Sequence, residues 1–198
     1  MATLDDDLWL WLDLETTGSD PERDSIIEIG CILTTPNLEE PPDATWAYFQ
    51  SPVRPTDEAL GRLYRNPTVR KMHEDNGLLP SLHDAHLPAP HDVARRLDRW
   101  LNRCGAKPGR VVLAGSGVGH FDRRFLDRWM PQIGKQWLRY WCIDVGVIRR
   151  ALEVWDVPRP AELTPNKPHR ALADAQIHLN EARGFRDLLL TVTTTADL

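Results

Sequence analysis

Four carboxylates and a histidine, Asp13, Glu15, Asp122, His169 and Asp174, have the types and the order to hold divalent cations between them. Hard cations such as Mg²⁺ and Mn²⁺ take oxygen ligands. Two of them, held about 3.5–4 Å apart, suit in-line hydrolysis of a phosphodiester bond. That chemistry requires the five residues to meet in space, so the question is what elements carry them.

Asp13 and Glu15 close the run Leu8-Trp9-Leu10-Trp11-Leu12-Asp13-Leu14-Glu15, which is short, apolar and followed by the turn signal Thr17-Gly18-Ser19-Asp20-Pro21. The pattern predicts a strand. Side chains alternate along a strand, so the four leucines share one face while Trp9, Trp11, Asp13 and Glu15 share the other. The two acids project together at the C-terminal end, where like charges repel unless a cation lies between them. For this pair alone, two unrelated acids at a solvated strand end are the plainer alternative.

Asp122 follows a buried-strand pattern, Val111-Val112-Leu113-Ala114, and a loop containing Gly115, Gly117 and Gly119. Glycine permits positive φ and close backbone approach, so the loop can deliver Asp122 beside a neighbouring strand end. Its Gly-x-Gly-x-Gly spacing matches neither the dinucleotide nor the P-loop fingerprint, which disfavours a phosphate cradle. Phe121 and Phe125 read as core anchors of a helix. Asp122 also fits an ordinary acid at a helix N-terminus, with Arg123 and Arg124 beside it. Asp174 lies near the first turn of a helix predicted to run to about Leu190, on which Leu172, Ile177, Leu179, Phe185, Leu188 and Leu189 roughly keep the helical period. His169 belongs on the preceding loop, from which it can lean over the site that Asp174 anchors. A capping or solvent-facing histidine is the alternative.

Taken together, Asp13-Leu14-Glu15-Thr16-Thr17-Gly18, Phe121-Asp122 and His169-x-x-x-x-Asp174 resemble the three motifs of the DEDDh exonuclease superfamily. Ile26-Ile27-Glu28-Ile29-Gly30, Met72-His73-Glu74-Asp75-Asn76-Gly77-Leu78-Leu79 and Asp122-Arg123-Arg124-Phe125-Leu126-x-x-x-Met130-Pro131 are similar to segments of oligoribonucleases. The resemblance spans about residues 8 to 190. It implies a ribonuclease H-like α/β fold with a mixed five-stranded sheet flanked by helices, and hydrolysis of single-stranded RNA or DNA from the 3′ end. Short oligoribonucleotides are the favoured substrate and nucleoside 5′-monophosphates the product. It further implies that Asp13, Glu15, Asp122 and Asp174 hold two divalent ions, Mg²⁺ or Mn²⁺, with Asp13 shared, and that His169 takes a proton from the attacking water. Thr16, Thr17 and Gly18 would meet the terminal nucleotide, and His73 and Asn76 a base or phosphate. A homodimer is also implied.

The departures from oligoribonucleases are specific. Ser19 stands where that family has a leucine that wedges between two bases. His120-Phe121-Asp122 is closer to the general DEDDh pattern than to the family's Gly-Gln-Asp, and Tyr140-Trp141-Cys142-Ile143-Asp144-Val145-Gly146 lacks the Arg and Ser offered to a terminal phosphate. A general DEDDh exonuclease without dinucleotide selectivity is therefore one alternative. A non-catalytic nucleic-acid-binding module on the same fold is another, although such a module has no chemical need for all five residues.

Composition agrees with one catalytic domain at 8–190 between short tails at 1–7 and 191–198, since 198 residues at 41% hydrophobic suffice for a sizeable core. The net charge of −5 argues against a large nucleic-acid-coating surface, and four of the acids belong to the proposed site. Arg62, Arg65, Arg70, Lys71, Arg123, Arg124 and Arg128 fit solvated helix faces better than phosphate contacts. The acidic start, Met1 to Asp7, is unlike a secretory signal, and no run approaches the roughly 18 apolar residues of a membrane span. A cytoplasmic protein without a membrane partner is expected. Cys31, Cys104 and Cys142 lack disulfide or zinc spacing and read as free thiols. The eight tryptophans read mainly as core, with Trp9 and Trp11 open to a role as a wall beside the site.

The remaining pattern predicts strands at 26–34, 45–50 and 141–145, and helices at 58–63, 68–76, 91–103, 121–129 and 147–155. The proline-rich connection from Val157 to Pro168 leads directly into His169 and is expected to set its approach.

Overall fold

The computed structural model describes residues 7–40, 47–157 and 168–195, with side chains to Thr191. Strand β1 (Leu8–Thr16) pairs antiparallel with β2 (Ile26–Thr34) and parallel with β4 (Val111–Gly115). Strand β3 (Tyr48–Pro52) adds antiparallel to β2, and β5 (Leu138–Asp144) parallel to β4. The order β3-β2-β1-β4-β5 is the mixed five-stranded sheet that the resemblance implied, with the acid-bearing β1 at its centre.

Alternation along β1 divides its side chains between two layers. Leu10, Leu12 and Leu14 pack with Val93, Leu97 and Leu101 of α4 (Pro90–Arg103), Phe125 of α5 (Asp122–Trp129) and Ile133 of α6 (Pro131–Gln136). On the other face Trp11 packs with Ile32, Ala114, and Ala175, Leu179 and Phe185 of α8 (Ala171–Thr195). Trp11 is fully buried and donates from Nε1 to Thr34 Oγ1 at 3.0 Å, so it is core and no wall of the site. Ile27 on β2 anchors a third layer made by α1 (Asp57–Arg65) and α3 (Leu78–Ser81) through Leu63, Leu78 and Leu79, with the half-buried Val69 of α2 (Pro67–Asp75) packed against it. The cysteines are free thiols, and burial first, then the nearby Asp122 carboxylate, push the Cys31 thiol far above its ordinary range.

Several boundaries differ from the sequence expectation. The third strand lies at Tyr48–Pro52, set by its register against Glu28 to Ile32; residues 45 and 46 lie outside those described. Strand β5 ends at Asp144, whose side chain accepts from the Val147 N–H at 3.2 Å and starts α7 (Val145–Val154) two residues early. Helices α3 and α6 are additional, each too short for a hydrophobic period to reveal. Helix α8 continues to Thr195, into the tail expected at 191–198, because no glycine or proline lies between Gly184 and Thr195 to stop it. At the other end Asp7 belongs to the folded unit and not to the 1–7 tail. It is 1% exposed, held by Arg139 at 2.9 Å and Arg110 at 2.5 Å. The proline-rich connection at 158–167 lies outside the described residues.

One contact places the start of α8. A Cβ on Gly30 of β2 would lie 2.1 Å from Leu172 N and 2.3 Å from Ala171 C, so the first turn of the helix rests directly on the strand backbone. Gly30 is also the register partner of Asp13. Gly30→Ala must push backbone aside, and overpacking of this kind costs about 1–3 kcal/mol. Urea denaturation is expected to show that loss, accompanied by reduced activity because α8 carries Asp174.

Candidate active site

The carboxyl end of β1 meets the start of α8. Glu15, His169 and Asp174 each offer a ligand atom, and these atoms all lie within 4.8 Å of one another. Glu15 and Asp174 are 5% and 3% exposed, and carboxylates desolvated this close together call for a counter-ion. Asp13 lines the same cavity, of about 350 Å³, and its Oδ1 lies 4.0 Å from Nδ1 of the buried His178. Asp122 reaches the site from the first turn of α5. Its Oδ1 accepts from the Leu14 N–H at 3.0 Å, which fixes this carboxylate against β1 between Asp13 and Glu15. All five residues thus converge on one strand end, with Glu15, His169 and Asp174 as the tight cluster among the described residues. The donor set, hard carboxylate oxygens with one imidazole, fits Mg²⁺ or Mn²⁺.

The turn after β1 is braced by Asp24, which accepts from the Asp20 N–H at 3.0 Å and from Thr17 Oγ1 at 3.4 Å. A Cβ on Gly18 would lie 2.4 Å from Asp24 Oδ2, so a bare backbone is needed here. Thr16 and Gly18 line the cavity as expected. Thr17 does not: it is 2% exposed, with its hydroxyl committed to Asp24 and the Ser25 N–H.

His73 and Asn76 are corrected more sharply. His73 is fully buried, and its Nε2 bonds the Thr16 carbonyl at 3.0 Å. A carbonyl only accepts, so Nε2 carries the proton. Burial lowers the His73 pKa despite the bond to Thr16, leaving a neutral ring whose Nδ1 faces Asn76 Nδ2 at 3.4 Å. The Asn76 side chain also donates to the His169 carbonyl and accepts from the Leu78 N–H at 2.9 Å. Neither side chain is available to a base or phosphate. Instead, the end of α2 ties the β1 turn to the backbone of His169, which sits in the left-handed region at φ 50°.

Residues the sequence reading did not single out complete the cavity. Val69 and Met72 of α2 line it together with Phe121, and so does the exposed Ser19. The signal was available: Val69 and Met72, three apart, share a helix face, and α2 buries no apolar residue. Glu28 is the second omission. Its carboxylate, 2% exposed, takes Arg170 Nη2 at 2.7 Å and Nε at 3.1 Å, the Ala171 N–H at 3.0 Å and Gln50 Nε2 at 3.0 Å. A lone acid in the apolar run Ile26-Ile27-Glu28-Ile29 demanded a buried partner. Arg70 pairs with Glu74, Lys71 with Asp75 and Arg123 with Asp127 on their own helix faces. Arg62 departs from the solvated-face expectation: its side chain is 16% exposed and its Nε bonds Asp24 at 3.3 Å, bracing the turn after β1.

Residues 10–182 match the Exonuclease (RNase_T) family. The chain is similar to the mitochondrial oligoribonuclease of Homo sapiens, 31% identical over 180 residues, which cover 90% of this chain and 71% of that protein. It is 31% identical over 186 residues to the oligoribonuclease of Xanthomonas oryzae pv. oryzae (strain MAFF 311018), covering 92% and 89%. Among solved structures it resembles the zinc-bound complex of E. coli ExoI with ssDNA, with a TM-score of 0.65 at 15% identity. That likeness is one of fold, covering 91% of this chain and 40% of the ExoI chain.

The Glu28 clamp has a consequence for pH. Burial alone would raise its pKa, but the bonds from Arg170, Ala171 and Gln50 outweigh burial and the net shift is downward. A carboxylate with a lowered folded-state pKa contributes stability above its unfolded value, about 4.3, and loses it as pH falls through the lower folded value. Chemical denaturation between about pH 7 and pH 3 is expected to show a shallower acid loss in Glu28→Gln, which starts less stable at neutral pH.

Proposed function

Since this chain belongs to the RNase_T exonuclease family and is a 3′-to-5′ exonuclease, we propose that it shortens single-stranded oligonucleotides, short oligoribonucleotides preferred, and releases nucleoside 5′-monophosphates. The observation that carries this reading is the cluster of Glu15, His169 and Asp174 within 4.8 Å at the end of the central strand. Two divalent cations, Mg²⁺ or Mn²⁺, are the cofactor, and when bound they supply a more acidic water and positive charge for the developing oxyanions. Glu15 and Asp174 would hold one and Asp122 the other, with Asp13 contributing to both.

The protein's own groups supply orientation and a proton acceptor. His169 takes the proton of the attacking water, a role for which an imidazole is suited because a ring nitrogen can accept a proton within hydrogen-bond reach of that water. Its exposed position at the cavity mouth keeps it within reach of that water, while Asn76 and the clamp on Arg170 hold its backbone. Thr16 and Gly18 offer backbone to the terminal sugar, and Val69, Met72 and Phe121 offer an apolar slot to its base. With Ser19 in the lining no apolar wedge separates two bases, which supports substrates longer than a dinucleotide as well. One catalytic domain, a cytoplasmic location and a homodimer complete the reading. Among the described residues no helix is long and apolar enough to cross a membrane, and Tyr140 and Trp155 are 95% and 70% exposed, as a dimer surface would require.

5′-labelled RNA and DNA oligomers of two to about twenty nucleotides, incubated with Mg²⁺ or Mn²⁺, are expected to give a ladder shortening from the 3′ end. His169→Ala should lower turnover by about 10²-fold or more. Direct release of the labelled 5′-terminal nucleotide without a ladder, or near-normal turnover in that variant, would remove the proposed polarity or the proposed base.

A further inference from the structure

The antiparallel register makes Glu15 and Glu28 direct partners across β1 and β2, so their side chains leave the same face of the sheet. Arg170 stands within electrostatic reach of both carboxylates. Its hydrogen bonds nevertheless go to Glu28, from Nη2 at 2.7 Å and from Nε at 3.1 Å. We propose that Glu28 is a positioning residue that keeps the Arg170 guanidinium off Glu15, so that the Glu15 carboxylate serves a divalent cation; this rests on the assignment of Glu15 as a ligand.

The physical case is a competition for one carboxylate. A guanidinium presents parallel N–H donors that match a carboxylate fork, and a pair so formed occupies both oxygens that a cation would use. Glu28 wins the guanidinium because it is held in place. Gln50 Nε2 binds its Oε1 and the Ala171 N–H its Oε2, each at 3.0 Å, and only 2% of the residue is exposed. The backbone that carries Arg170 is fixed beside the site, because the first turn of α8 rests on the Gly30 backbone. A cation adjoining a metal site is therefore tied to a dedicated partner one strand away. Without the charge of Glu28, Glu15 remains a carboxylate within that reach.

Calorimetric titration of the full chain with Mn²⁺ alone tests this. Glu28→Gln keeps the shape and an acceptor for Ala171 but loses the charge, and is expected to weaken Mn²⁺ binding by about 10–100-fold. The double variant Glu28→Gln/Arg170→Gln removes the invading cation and should return binding to within about threefold of the wild type, a non-additive rescue. A role in folding alone makes the double variant as impaired as the single one or worse. That result, or unchanged Mn²⁺ binding in Glu28→Gln, overturns the proposal. Should Glu28→Gln fail to fold, Arg170→Gln decides: binding at least as tight as the wild type supports the proposal, and clear weakening overturns it. Asp13→Ala is the control for the underlying reading, since wild-type Mn²⁺ binding in that variant would remove the ligand assignment whatever Glu28 does.

Discussion

The site depends on one contact, the seating of the first turn of α8 on the bare backbone of β2 at Gly30. A helix can approach a strand this closely only where no side chain intervenes. Because Gly30 pairs with Asp13 in the register, the seat lies beside the acid-bearing end of the central strand. Asp174 is thereby carried to Glu15, and His169, just before the helix, is left at the mouth of the cavity. Along the rest of α8, Ala175, Leu179 and Phe185 close over Trp11 and hold the helix down.

Bringing acids together in a partly dry site is unfavourable, and the surroundings of the cluster answer that cost. Asp122 is bonded to the Leu14 N–H, and the Arg170 guanidinium is drawn off by Glu28. The left-handed backbone at His169 is a strained conformation for a residue with a Cβ, of a kind that persists only where neighbours over-determine it. Here the neighbours are the Asn76 side chain on its carbonyl and the Glu28 carboxylate on the next residue's guanidinium and the following N–H. Rigid support of this sort would let the proposed general base keep one geometry through a reaction.

The fold was legible where the period was strong. The leucine and tryptophan alternation in β1 is the alternation of its two packed faces, and the stripe of Val93, Leu97 and Leu101 is the buried face of α4. It was less legible where a cap or a register decides: Asp144 ends β5 by capping α7, and β3 slides to match β2. His73 and Asn76 show the same limit in the site. Polar residues in a motif read as substrate contacts, but one is sealed beneath the β1 turn and the other is occupied by backbone.

The sequence by itself determined the candidate residues and the chemistry proposed for them, because the three motifs that carry the family resemblance are a matter of residue type and order. It also determined which strand carries the first pair and that they face one way, since alternation is a local rule. Only the tertiary structure decided which of the surrounding polar groups touch the site and which hold it up. Those roles turn on cross-strand register and on the seat of α8, contacts between residues more than a hundred positions apart, such as Glu28 and Arg170. Local patterns carry no information about such distances until the chain is folded.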